Sequence, residues 1–382
     1  MSIAPGETSL RPTWLEIDPG AFRHNLERLR DAVGRQVAIY ACLKRNAYGC
    51  GAGPIARAAV AGGADGLAVG NIDDAISIRR AGVTAPVMLY PTCLPEVATA
   101  VAEFDLTPTV STPAEVESWA TAFDGRRPVF AKFDVGLMRG GAQPSEFGAL
   151  LARIAANPKL SLAGIYTHFH TYGGPEGAGY LEWQVARLRE AVAAAQESGA
   201  DIPFVMGSNS ALVVQRPDLD LSGVDPGRLL YGVTPAGPLE RKLQLRPALA
   251  AFRSRILFAK TITSVPDDER LSPFPARIGM RIGVLPVGWG DGLPRRFRDG
   301  ARALVQGRPV PILNPVHLEH LRLDLSAHPE AVPGDEVTLI GRQGTDAITL
   351  EEVEAAWGLD GLSLLAGLRD HLRRDYGGAE AT

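Results

Sequence analysis

The run Val37-Ala38-Ile39-Tyr40-Ala41-Cys42-Leu43 passes directly into Lys44-Arg45-Asn46-Ala47-Tyr48-Gly49-Cys50-Gly51. Its first seven residues carry no charge. An apolar run of that length, closed by a charge and a glycine pair, predicts a strand buried on both faces, as in a parallel sheet. In a barrel, the C-terminal end of such a strand is where active-site groups lie. A lysine placed there, partly stripped of water, is suited to act as a base or as an amine nucleophile. The plainer alternative is a surface lysine that only ends the strand. Gly49 and Gly51 beside Tyr48 tilt the reading toward function, since glycine lets the backbone turn tightly and approach a ligand closely.

Working outward from this strand, similar short β-rich runs occupy residues 66–69, 86–90, 106–110, 128–133, 160–169, 202–206 and 228–231. Amphipathic, Ala-rich stretches at 55–61, 72–80, 96–103, 113–122, 145–156 and 181–197 separate most of them. Strands that alternate with helices imply βαβ units and a parallel sheet. About eight such strands in about 210 residues predict a (β/α)8 barrel of the TIM type, with a doubly wound open sheet as the alternative. Near residue 240 the composition changes. Runs at 256–265, 281–287, 301–305 and 336–340 follow, divided by Pro, Gly and Asp turns, and then a helical stretch at 350–357. The expected division is an N-terminal tail 1–11, a barrel over 12–240, and a mainly β C-terminal domain over 241–382.

Composition narrows the function classes. The 382 residues hold 39 Lys+Arg against 43 Asp+Glu, a net charge of −4, without the basic excess of a nucleic-acid binder. No apolar run reaches the length of a membrane span, and Met1 to Arg11 lacks a signal-peptide pattern, so a cytoplasmic protein is expected. Three cysteines, Cys42, Cys50 and Cys93, are too few and odd in number for a disulfide framework.

The strand-end motif resembles that of the alanine racemases, pyridoxal-phosphate enzymes built on a barrel, whose version reads Lys-Ala-(Asp/Asn)-Ala-Tyr-Gly-His-Gly. Other segments are similar to the same family in the same order: Trp14-Leu15-Glu16-Ile17-Asp18, Lys132-Phe133-Asp134-Val135-Gly136-Leu137-Met138-Arg139, Thr167-His168-Phe169 and Ser208-Asn209-Ser210-Ala211. Leu230-Tyr231-Gly232, Pro286-Val287-Gly288-Trp289-Gly290-Asp291-Gly292 and Gly334-Asp335-Glu336-Val337 continue the series. The resemblance implies pyridoxal 5'-phosphate as cofactor, with Lys44 bonded to it and serving as acid and base at the substrate Cα. By the same matching, Tyr48, Ser210, Gly227 and Arg228 would hold the phosphate, a task suited to hydroxyls and free backbone N–H groups. His168 would pack against the ring. Arg139 would lie near the substrate carboxylate, steadied by Lys132, a lysine carbamylated in many members. Asn209 and Tyr231 stand in matched motifs and join the cofactor-binding set. A homodimer with shared active sites and a small amino-acid substrate are also implied.

Three departures from the family stand out. Its second catalytic base is a tyrosine of the partner's β domain, yet this chain has no tyrosine between Tyr231 and Tyr376, and the corresponding stretch reads Leu271-Ser272-Pro273-Phe274-Pro275. Under the pyridine nitrogen the family carries Val-Arg-x-Gly; here Val224-Asp225-Pro226-Gly227 places an aspartate in the arginine's position. A carboxylate there favours a protonated ring and a better electron sink. The alternatives are that Asp225 only caps a helix, or that Arg228 reaches back to replace the arginine. Finally, a phosphate-binding tyrosine aligns with Leu362, and Leu318-Glu319-His320 replaces a Met-Asp-Gln segment. His317 and His320 could be read as a metal pair, but no cysteine or third histidine accompanies them and a polar surface suits them better. His170 or His320 is a candidate to replace the missing acid.

The expected function is therefore a pyridoxal-phosphate enzyme acting at the Cα of an amino acid, of racemase or epimerase type and not a standard alanine racemase. Asp225 and the absent tyrosine favour an alternative, one-sided chemistry such as decarboxylation, aldol cleavage, transamination or elimination with Lys44 alone. A protein that binds the cofactor without turnover is the remaining alternative. Its usual single-barrel form does not match a chain with an added β domain.

Overall fold

The structure, a computed structural model, describes residues 11–170 and 174–377. The expected tail 1–11 therefore lies outside the described residues except for Arg11. Contacts divide the chain into two units: residues 20–47 with 51–246, and residues 11–19 with Tyr48–Cys50 and 247–377.

The first unit is the barrel. Its eight strands are Ala38–Cys42, Gly66–Val69, Val87–Leu89, Thr109–Val110, Arg127–Lys132, Leu160–Tyr166, Val205–Ser208 and Gly223–Val224. All the paired neighbours are parallel, and Gly223–Val224 pairs with both Ala38–Cys42 and Val205–Ser208. A bridge between Met88 and Thr107 joins the two ends of the series, so the sheet closes on itself. Five of the expected helices are present, including Ile72–Arg80 and Pro113–Ala122 at the expected bounds, each N-capped by a side chain, Asn71 and Thr112. The stretch expected at 96–103 is instead a short 3-10 turn followed by helix Ala98–Glu103.

One strand expectation fails. Residues 228–231 form a 3-10 turn, Arg228–Tyr231, and the barrel is closed by the two-residue strand Gly223–Val224 just before it. The apolar Leu229-Leu230-Tyr231 run looks like a strand because it is buried, but buried turns are equally apolar. Its backbone is held by Asn25, whose Nδ2 donates to the Leu230 carbonyl at 3.0 Å.

Three rings fill part of the barrel interior. Tyr40 lies 5.9 Å from Phe130 and 5.6 Å from Phe204, centre to centre. Three strand glycines leave the room: a Cβ on Gly66 would come within 2.6 Å of Tyr40, and Cβ atoms on Gly164 and Gly223 within 2.8 and 2.5 Å of Phe204. The interior phase of each strand is thereby set. Because side chains alternate, residues two or four further along point inward too. From Tyr40 this leads to Lys44, from Phe130 to Lys132, from Gly164 to Tyr166 and His168, and from Gly223 to Asp225.

The second unit is a ten-stranded mainly antiparallel sheet. The strand Thr13–Ile17 belongs here, antiparallel to Leu249–Arg255 and parallel to Arg373–Tyr376. The expected barrel boundary at residue 12 therefore differs from the structure, in which the chain contributes a strand to the β unit before the barrel begins. Within the expected run 256–265 only Phe258–Thr261 is strand, and the strand before it, Leu249–Arg255, lies outside the expected runs. Arg11 forms a bidentate pair with the buried Asp291, at 2.7 and 2.8 Å, and His371 shares the same carboxylate at 2.7 Å. Helix Leu350–Trp357 has the expected bounds and a capping box from Thr349 and Glu352. Among the described residues no helix is long and apolar enough to cross a membrane.

Candidate active site

Lys44 follows the strand Ala38–Cys42 by two residues, and its backbone environment is unusual. Arg45, Asn46, Ala47 and Tyr48 all have φ near +50°, a left-handed turn made without glycine. Such a turn costs about 1–2 kcal/mol per residue, so its surroundings must over-determine it. Asn46 supplies much of that constraint. Its N–H donates to Asp74 Oδ2 at 3.0 Å, its Oδ1 accepts from the Ala52 amide at 2.7 Å, and its carbonyl accepts from Gly51 at 2.9 Å. Asp74 is in turn oriented by Asn71. The family-like Asn46 thus shapes the turn that presents Lys44. Tyr48 falls within the other unit by its contacts.

The Lys44 ammonium lies 4.0 Å above the Tyr90 ring, a cation–π contact. The Tyr90 hydroxyl donates to Asp225 Oδ2 at 2.9 Å. Asp225 is buried, and its Oδ1 has no hydrogen-bond partner. Burial pushes the Asp225 carboxyl up to about 6, against the opposing pull of Lys44, the Tyr90 hydrogen bond and Lys132. Asp225 follows the closing strand immediately, with its amide donating to the Ser208 carbonyl at 3.0 Å, so it belongs to the barrel wall and caps no helix.

Lys132 is also buried, and burial together with Arg139 and Lys44 lowers it to about 8. His168 is pushed down to about 3, first by burial and then by Lys44, Arg139 and Lys132. It is therefore a neutral imidazole at physiological pH. Arg139 is exposed, at the end of a loop whose shape Asp134 sets by accepting from the amides of Gly136 and Met138.

Asn209, Ser210, Gly227 and Arg228 lie close together in the barrel unit. The Ser210 Oγ accepts from the Gly227 amide at 2.8 Å, which joins the start of helix Ser210–Gln215 to the start of the 3-10 turn. Asn209 is the N-cap of that helix, with Oδ1 accepting from the Ala211 and Leu212 amides and Nδ2 donating to the Phe169 carbonyl. Its side chain is thereby committed to shaping the loop. Tyr231 is wholly buried, its hydroxyl donating to the Cys42 carbonyl at 3.2 Å and its ring edge-on to Phe22. It braces the strand that leads to Lys44. Arg228 is half-buried, with its Nη2 donating to the Thr234 carbonyl and its Nε unpartnered.

Of the other histidines, His170 has its backbone clamped by Gln184. His317 and His320 are exposed in one turn of the β unit, where the His317 amide donates to the His320 carbonyl. Sequence reading passed over Tyr90. Its signal was available: it lies two residues beyond Met88, at the end of the strand Val87–Leu89, in a position comparable to Lys44.

Residues 17–235 match the family of alanine racemase N-terminal domains, and residues 270–376 that of alanine racemase C-terminal domains. The chain belongs to the alanine racemase family. An alanine racemase from Nostoc sp. is 31% identical over 367 residues, which cover 94% of this chain and 95% of the relative. One from Desulforamulus reducens is 32% identical over 351 residues, 91% and 93% of the two chains. Among solved structures, the Bacillus anthracis alanine racemase with bound L-Ala-P superposes with a TM-score of 0.87 at 29% identity, covering 98% of this chain and 97% of that one. The enzyme from the D-cycloserine producer Streptomyces lavendulae superposes with a TM-score of 0.86 at 26% identity, covering 98% and 99%. Membership in the family points to an enzyme of racemase or isomerase type, and implies pyridoxal phosphate.

The residues present fit that cofactor. A primary amine, a hydroxyl with neighbouring turn amides, and a buried carboxylate oxygen without a partner are what an aldehyde, a phosphate and a ring N–H require.

Proposed function

We propose that this protein is a pyridoxal-phosphate-dependent enzyme that moves the Cα proton of an amino acid, of racemase or epimerase type. The observation that carries the reading is the series Lys44, Tyr90 and Asp225 at the C-terminal end of one barrel, with an amine at one end and an unpartnered carboxylate oxygen at the other. The bound cofactor supplies an electron sink for the pair left at Cα when its proton departs. Lys44 Nζ would take or return that proton on one face of Cα, and inversion requires a proton donor other than Lys44 on the opposite face. Asp225 Oδ1 would accept the ring N–H, and Ser210 with the first amides of the 3-10 turn would hold the phosphate. Lys132 and Arg139 supply positive charge for the substrate carboxylate, while neutral His168 packs and does not act as an acid.

The specific reading differs from a standard alanine racemase. No tyrosine occurs between Tyr231 and Tyr376 to serve as a second base. That observation, with Asp225 in the arginine's place, favours a second reading in which Lys44 works on one face only and the reaction is a decarboxylation, aldol cleavage, transamination or elimination. A homodimer with shared sites is part of the proposal, checked by sedimentation of the loaded protein.

The deciding experiment mixes cofactor-loaded protein with L- and D-amino acids in deuterium oxide and follows the products by NMR. Deuterium at Cα with both enantiomers appearing supports the racemase. Deuterium without inversion, or a new amine, keto acid or aldehyde, establishes the one-sided reading. No exchange and no product with any amino acid would refute both.

A further inference from the structure

We infer that Tyr90 is a positioning residue that holds Asp225 as an ionised acceptor for the pyridine nitrogen, and so sets the protonation state of the cofactor ring. The inference rests on the reading that Asp225 faces that nitrogen. It begins with the direction of the hydrogen bonds. Thr109 Oγ donates to the Leu89 carbonyl at 2.7 Å, so at its 3.1 Å contact with the Tyr166 hydroxyl it must accept. The Tyr166 proton is thereby occupied, and burial pushes that phenol up. Tyr90, whose ring centre lies 6.1 Å from that of Tyr166, donates its own proton to Asp225 Oδ2.

A phenol that donates to a carboxylate stabilises the ionised form. The charged groups around Asp225 act in the same sense, for Lys44 and Lys132 both favour its ionised state, while burial opposes them. The Tyr90 bond also fixes the plane of the carboxylate. With Oδ2 anchored, Oδ1 is the oxygen left buried and unpartnered. A buried acceptor in that condition is costly until a donor meets it, and a cationic N–H is the strongest donor available to it. One tyrosine thus performs two tasks: its ring face receives the Lys44 ammonium, and its hydroxyl orients the group that faces the ring nitrogen.

If Tyr90 were lost, Asp225 would become more basic, and the proton shared between carboxylate and ring nitrogen would move toward the carboxylate. The test is nitrogen-15 NMR of the full chain loaded with pyridoxal phosphate labelled at the ring nitrogen, because the chemical shift reports ring protonation without turnover. In the wild type at neutral pH the nitrogen is expected to be protonated. In Tyr90→Phe, which keeps the ring under Lys44, the ratio of protonated to unprotonated nitrogen should fall about tenfold, equivalent to about one pKa unit. Replacing the tyrosines of the wild type with 3-fluorotyrosine, a more acidic phenol, should move the signal in the opposite sense. That measurement keeps the test open if Tyr90→Phe does not fold.

A signal unchanged in both would overturn the role of Tyr90, even where Asp225→Asn abolishes the protonated signal and upholds the reading of Asp225. An unprotonated nitrogen in the wild type, or one indifferent to Asp225→Asn, would overturn the reading of Asp225 and the inference with it. A protein that takes up no cofactor would overturn the proposed function as a whole.

Discussion

Without cofactor, Asp225 should weaken the fold as the pH rises. In the unfolded chain its carboxyl titrates at the ordinary aspartate value of 3.8, but in the folded protein at about 6. Between those values the unfolded state binds fewer protons than the native state, so stability falls with increasing pH. Each unit of difference is worth about 1.4 kcal/mol, and the loss amounts to about 3 kcal/mol once the pH exceeds 6. Asp225→Asn removes the titration and keeps the shape. His168, held down to about 3, and Lys132, held down to about 8, contribute slopes of the opposite sign, so the informative quantity is the difference between variant and wild type at each pH. Urea unfolding of the apoprotein near pH 4 and near pH 7 supplies it. Because the unfolded carboxyl is already half-ionised near pH 4, the variant should gain about 2 kcal/mol on the wild type between the two conditions. A gap that does not change with pH would refute the reasoning, since it would mean that the carboxyl is not desolvated in the folded state. Saturation with the cofactor should reduce the gap, because a ring N–H satisfies Oδ1.

Three further outcomes follow from the site. Ser210→Ala removes the acceptor of the Gly227 amide and a hydroxyl of the phosphate cradle, and should weaken cofactor binding about tenfold, equivalent to about 1.4 kcal/mol; an unchanged dissociation constant would count against the cradle. Tyr231→Phe should cost about 1 kcal/mol of stability in denaturant, through the bond to Cys42, and leave cofactor affinity as it was; a tenfold loss of affinity would return Tyr231 to the binding set. His168→Phe should leave the acid limb of the pH–kcat/KM profile in place, because an imidazole at about 3 stays neutral throughout the working range; a displaced limb would mean that His168 ionises during turnover.

The amino-acid order alone carried much of the site. The uncharged run before Lys44 marks a buried strand, and Tyr48 with the two glycines behind it marks a tight loop that can approach a ligand. The tyrosine-free stretch from residue 232 to 375 is a fact of order that folding does not alter, and Asp225 in an arginine's place is what the family resemblance implies. Each can be read from residue order without knowing what the residues touch, which is why it was legible. What the sequence left open depends on partners distant along the chain. Thr13–Ile17 reads simply as a strand; only its pairing with Leu249–Arg255 and Arg373–Tyr376 assigns it to the β unit. Residues 228–231 have a strand's apolarity, but the barrel has already closed at Gly223–Val224, and the excess becomes a buried turn held by Asn25. The bond from Tyr90 to Asp225 spans 135 residues. Alternation along a strand can say that both side chains face inward, but whether they meet is decided by barrel closure, which fixes the stagger of strands that share no local sequence.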